Sequence, residues 1–128
     1  MCATWPGPGT AAEVVELSCA AGTEGRYLVV HAEATTLLTL CGVEVYGIGS
    51  SVSVGTVNVA VGKPAVQSSE CCGGAPQRAV SGTPNTNWAG AQCTATNTEA
   101  NPWWSVDLEA SYEIGRVVIY NRADCCRK

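Results

Sequence analysis

Short runs of β-branched residues, each closed by glycine or another turn former, recur along this chain, and no stretch has the 3.6-residue periodicity of a long amphipathic helix. Such runs occupy residues 13–19, 26–31, 36–41, 43–46, 51–54, 57–60, 104–108 and 114–120. Many short strands separated by turns cannot bury their apolar faces singly. They have to stack face to face, so the expected fold is an all-β sandwich or barrel. Residues 75–80, with Pro76 at the start, suit a single helical turn. The expected core follows the two-residue alternation of each strand. In the last run it sets Arg116, Val118, Tyr120 and Arg122 on one face and Val117, Ile119 and Asn121 on the other. Trp103 and Trp104 point opposite ways, one into the core and the other under a loop.

The 128 residues suffice for one domain with a modest core. A net charge of -4 and the lack of a basic patch argue against a nucleic-acid backbone as partner. No apolar stretch approaches the roughly 20 residues that span a bilayer. Eight cysteines in so short a chain point to an oxidising, extracellular setting and a disulfide framework. The first residues have neither the basic start nor the apolar segment of a secretion signal. Either a leader has been removed, or the chain is a piece of something longer. With one histidine and no carboxylate pair at a motif spacing, no acid–base or nucleophilic system can be assembled, and an enzyme is not expected.

The chemistry concentrates at the C-terminal end, in Arg122-Ala-Asp124-Cys125-Cys126. An arginine held by a carboxylate two residues on is a donor ready for a sugar hydroxyl, at a strand exit where sandwich proteins place binding residues. Adjacent cysteines lack the spacing of a zinc knuckle. A second adjacent pair, Cys71-Cys72, reads as an exposed pair that is either free or mutually bridged.

Residues 57–128 resemble the opening half of the F-type lectin (fucolectin) family, a jelly-roll related in fold to discoidin-type domains. The resemblance rests on Asn58 through Ser69, on Gly74 through Trp88, on Cys93 through Asn101-Pro-Trp-Trp104, and on the run to Cys126. Residues 2–47 resemble the end of such a domain, through Cys2, Trp5-Pro-Gly, Val14-Val-Glu-Leu-Ser-Cys19, Gly25-Arg-Tyr-Leu-Val-Val30 and Leu38-Thr-Leu-Cys41-Gly-Val-Glu-Val-Tyr-Gly47. Residues 1–47 are therefore expected to be the C-terminal part of one lectin-like domain, 48–56 a linker, and 57–128 an N-terminal part. Two origins fit: the junction of two tandem domains, which is favoured, or a circular permutation.

The resemblance implies a galactose-binding-domain-like jelly-roll, possibly incomplete, that binds fucosylated glycans outside the cell. The family's motif is a histidine, twenty-six residues, Arg-x-Asp, four residues and a second cation. Arg122, Asp124, Cys125 and Cys126 match it. The histidine position falls on Ala95, and Lys128 is one residue short of the second cation's register. His31 reads as a satisfied structural histidine. A degraded fucose site is thus expected, one that Ala95→His would improve, with a non-binding structural fragment as the alternative. The family's calcium site would fall on Arg78, Ser81, Thr83, Gln92 and Cys41. Its usual carboxylates are replaced by Ser81 and Gly42, so calcium binding should be weak. The family's disulfides would become Cys2–Cys19, Cys41–Cys93 and Cys125–Cys126, and the second of these would join the two parts.

Overall fold

The computed structural model describes residues 14–48, 57–85 and 92–122. They form an all-β sandwich of seven strands: β1 (Val14–Ser18), β2 (Glu24–His31), β3 (Thr35–Thr36), β4 (Gly42–Ile48), β5 (Ala65–Gln67), β6 (Glu99–Ala100) and β7 (Trp103–Tyr120). The helical turn expected over 75–80 is a 3-10 helix, Pro76–Val80.

β7 organises the sheet. It pairs antiparallel with β1, β2, β4 and β5. Near Trp104–Val106 it lies between β2 and β5, and along Arg116–Tyr120 between β1 and β4. The runs 104–108 and 114–120, expected as two strands, are one strand with a bend. Glu109 has φ 66°, and its N–H donates to Asp107 Oδ1 at 2.8 Å. An aspartate that turns the chain by binding the amide two residues on lets one strand change direction without ending. Trp104, Val106 and Leu108 face the core in strict alternation.

The core is shared by both parts of the chain. Leu38, Leu40, Val43 and Val45 of the first pack with Val59, Val80, Trp104, Val106, Leu108 and Val117 of the second. Cys41 and Cys93, both at 0 % exposure, are bonded with their Cα atoms 3.9 Å apart. The described segments from either side of residues 48–56 thus share one sheet, one core and one disulfide.

Two expected strands differ. Of residues 36–41, only Thr36 lies in a strand, β3, which pairs with β6. Beyond it, Leu38 and Leu40 accept from the amides of Thr96 and Thr94 at 3.1 and 2.8 Å. Their own amides donate to the hydroxyls of the same threonines, at 2.9 and 3.1 Å. Threonine side chains stand in for backbone carbonyls, so the pairing is strand-like without a regular ladder. Residues 57–60 form a single bridge, Asn58 to Tyr46, followed by a turn. Asn58 Oδ1 accepts the amides of Val45 and Ala60 at 3.0 and 3.1 Å and bends the chain away. Residues 51–54 lie outside the described residues. β5 and β6 are too short to leave a pattern in the sequence.

Candidate ligand site

The arrangement begins with Leu38–Cys41, which bridges the two places where the sequence puts ligand residues. Leu40 accepts from Thr94 on one side, and the Cys41 amide donates to Tyr120 O at 2.9 Å on the other. The segment around Ala95 and the strand leading to Arg122 are thereby tied to the same short segment. Arg122 follows β7 and is half-buried, and its amide donates to the side chain of the buried Asn121 at 3.0 Å. Asp124, Cys125, Cys126 and Lys128 lie outside the described residues, as do Cys2 and the N-terminal Trp5-Pro-Gly. Cys19 is disulfide-bonded.

Ala95, at the family's histidine position, is 6 % exposed. Its Cβ lies only 2.9 Å from where a Cβ on Gly74 would stand, and its nitrogen 2.4 Å from the same point. Gly74 is needed because nothing larger lets the loop come so close. The Cys71 amide donates to Ala95 O at 2.9 Å and the Ala95 amide to Gly74 O at 3.0 Å. Gln67 Nε2 donates to both carbonyls, at 2.9 and 3.2 Å. The loop around Cys71–Gly74 therefore closes over position 95. A larger side chain at position 95 would have to be accommodated beside this loop.

Cys71 and Cys72 are bonded to each other, one of the two states left open by the sequence. The adjacency of this pair to Ala95 was not legible in advance. The only signal was the run Cys-Cys-Gly-Gly, whose turn shows as φ 64° at Cys72 and 77° at Gly73. His31 is exposed at the end of β2, opposite Trp103, rather than enclosed as a structural histidine. Trp104 is fully buried and donates from Nε1 to Pro76 O at 2.9 Å. Trp103 is 38 % exposed on the outer face, not covered by a loop.

The residues expected around calcium are partly brought together. Cys41 is bonded to Cys93, whose carbonyl is 3.5 Å from Arg78 Nη1 and whose sulfur is 3.5 Å from Asn85 O. A Cβ on Gly42 would stand 2.8 Å from Pro84 and 2.9 Å from Tyr120, so a glutamate does not fit there as the chain is packed. Ser81 Oγ accepts the Thr83 amide at 3.3 Å, and Gln92 is half-buried. Glu44, two residues beyond Gly42, is engaged elsewhere: its Oε1 accepts the hydroxyls of Tyr46 and Tyr120, both at 3.1 Å. Burial, and then that carboxylate, push both phenols above their ordinary pKa. No cluster of three His, Cys, Asp or Glu suited to a metal occurs among the described residues. A donor set without carboxylates does not fit calcium well.

On the outer face of β1, β7 and β4, Arg116 stacks on Tyr46 at 4.0 Å and reaches Glu16 at 3.5 Å. The face that alternation assigns to Arg116 and Tyr120 is thus a polar and aromatic surface.

The fold and the end of β7 define a galactose-binding-like β-sandwich. A family described as "NedA-like, galactose-binding domain" matches residues 78–128. The chain is 40 % identical over 74 residues to a fucolectin of Anguilla anguilla, a match covering 54 % of this chain and 47 % of that protein. It is also 40 % identical over 74 residues to fucolectin-6 of Anguilla japonica, covering 54 % of this chain and 40 % of that protein. A pentraxin fusion protein of Xenopus laevis is 33 % identical over 52 residues, 41 % of this chain and 12 % of that protein. The chain spans about half the length, or less, of these curated relatives. No solved structure matches it. The matching part of the chain is similar to the F-type lectin, discoidin-like family. Among the described residues no helix is long and apolar enough to cross a membrane.

Proposed function

We propose that this chain is a non-enzymatic, carbohydrate-binding lectin module of an extracellular protein, of the fucose-recognising kind and with an attenuated site. The observation that carries the reading is the likeness to fucolectins, together with Arg122-x-Asp124-Cys125-Cys126, which keeps the family's motif. Arg122, steadied by Asp124, would donate to sugar hydroxyls, and the paired cysteines would offer an apolar edge to the deoxy sugar's methyl group. Lys128 would supply a cation near the second position. No imidazole contributes from Ala95.

Each charged hydrogen bond lost to a ligand costs about 1.5–3 kcal/mol, and about 1.4 kcal/mol is tenfold in affinity. Two such losses bring a micromolar site to the millimolar range or weaker. Titration calorimetry with L-fucose should find binding no tighter than that, and micromolar binding would contradict the attenuated site. Calcium bound at a millimolar dissociation constant and supplied at a similar concentration stabilises by only about 0.4 kcal/mol. Adding it should barely move the melting temperature, and a large shift at micromolar calcium would place a strong site here.

The closed packing of Ala95 on Gly74 favours a second reading, a structural module of a multidomain protein that keeps the fold without binding. A glycan array on the oxidised chain separates the two: no retained fucosylated glycan, with the fold intact, selects the structural module. The shared core supports residues 1–47 and 57–128 as complementary parts joined through 48–56, whether the origin is a tandem junction or a permutation.

A further inference from the structure

The Cys71–Cys72 disulfide has no role in the lectin reading, yet it closes the loop that covers Ala95. Its setting differs from that of Cys41–Cys93, whose two residues are completely buried. Cys72 is exposed and Cys71 half-buried. Thiol–disulfide exchange requires a thiolate to approach one sulfur along the S–S axis, so access decides which bond reacts. The two bonds also differ in what they hold. Cys41–Cys93 closes a long stretch of chain, whereas a bond between neighbouring residues closes none and opens without releasing the fold.

What the bond between neighbours does fix is the backbone of its own turn. Cys72 is held at φ 64°, a conformation costly for a residue with a Cβ. That turn aims the Cys71 amide at Ala95 O and places Gly74 O to receive the Ala95 amide. The Gly74 amide donates back to Cys71 O at 2.9 Å, which closes the turn on itself. Once the sulfurs are separate, nothing in the side chain of Cys72 holds it in the left-handed region, and relaxation of that residue draws Cys71 and Gly74 off Ala95.

We propose that Cys71–Cys72 is a thiol-exchange site for an external dithiol, and that its reduction unclasps the loop from Ala95. One thiolate of the dithiol attacks Sγ of Cys72, the Cys71–Cys72 bond breaks, and Cys71 leaves as a thiolate. The dithiol's second thiolate then attacks its own sulfur in the mixed disulfide and expels Cys72. The dithiol departs as a disulfide, the protein gains two electrons, and solvent supplies the two protons that make two thiols. The inference stands on the loop geometry and does not depend on sugar binding.

The test treats the intact oxidised chain with increasing dithiothreitol, traps thiols by alkylation and maps the modified peptides. Amide hydrogen exchange is read on the same samples. Cys71 and Cys72 should be alkylated at roughly tenfold less reductant than Cys41 and Cys93. Over that range exchange should quicken at Cys71, Gly74 and Ala95, while Leu38 and Leu40 stay protected. The double variant Cys71→Ser with Cys72→Ser should show the quickened pattern without reductant and no response to it. Labelling of all four cysteines together would overturn the proposal. So would alkylation of Cys71 and Cys72 with no change at Gly74 and Ala95, or a folded double variant that exchanges as slowly as the oxidised chain. The labelling and exchange of the unmodified chain decide the matter even where the variant does not fold.

Discussion

Replacing both Cys41 and Cys93 with alanine should remove a large share of the stability of this chain. The bond joins residues 52 apart in sequence, one from the first part and one from the second. Cross-linking a loop of that size lowers the entropy of the unfolded chain by an amount worth about 4 kcal/mol at room temperature. Domains of this size have only about 5–15 kcal/mol in total. The loss falls where the two parts meet, since the Cys41 amide also donates to Tyr120 O and the neighbouring Leu40 pairs with Thr94. Urea unfolding followed by tryptophan fluorescence measures it: at a slope near ~2 kcal/mol per molar, the midpoint should fall by about 2 M. The same variant pair at Cys71 and Cys72, which closes no stretch of chain, is the control and should shift the midpoint little. A loss below about 1 kcal/mol for Cys41→Ala with Cys93→Ala would refute the reasoning, because the two parts would then not be held by this link.

Ala95→His should destabilise rather than repair, by roughly 1–3 kcal/mol, because the imidazole must displace the Cys71–Gly74 loop; a melting temperature equal to the parent's, with tighter fucose binding, would show the loop yields freely. Trp104→Phe should cost roughly 1–3 kcal/mol in chemical denaturation, since O of the half-buried Pro76 loses the donor that the fully buried Trp104 supplies; a neutral result would mean the bond contributes nothing to the fold. Asp107 accepts from Arg26 Nε and Nη2 at 2.7 and 2.9 Å, which holds its carboxyl below its ordinary pKa; hydrogen bonds from Ser68 and then Ser69, the latter at 2.6 Å, do the same for Glu99. A carboxyl depressed in the fold stabilises above its unfolded pKa and loses that contribution as pH falls through the folded value. Thermal melts should therefore drop as pH falls below about 4, and less steeply in Asp107→Asn; an identical slope in that variant would count against the pair.

Much of the fold is legible in the sequence because it depends on local pattern. The alternation through Trp104, Val106 and Leu108, the turn residues between runs, and the proline that opens the 3-10 helix are properties of neighbouring residues. The face shared by Arg116 and Tyr120 follows from a two-residue period and is found as expected. The family resemblance likewise implies the Cys41–Cys93 link, which the structure holds. The rest depends on what lies across space. Whether 104–108 and 114–120 are two strands or one turns on the Asp107 carboxylate capturing an amide at Glu109. Whether 38–40 forms a ladder turns on two threonine hydroxyls more than fifty residues away. Nothing at position 95 itself records that Gly74 presses against it. That contact requires a loop without a side chain at Gly74 and a turn fixed by Cys71–Cys72. Local pattern determined the strands and their faces, and only the tertiary structure decided that position 95 is covered by a neighbouring loop, because close packing is a property of both surfaces together.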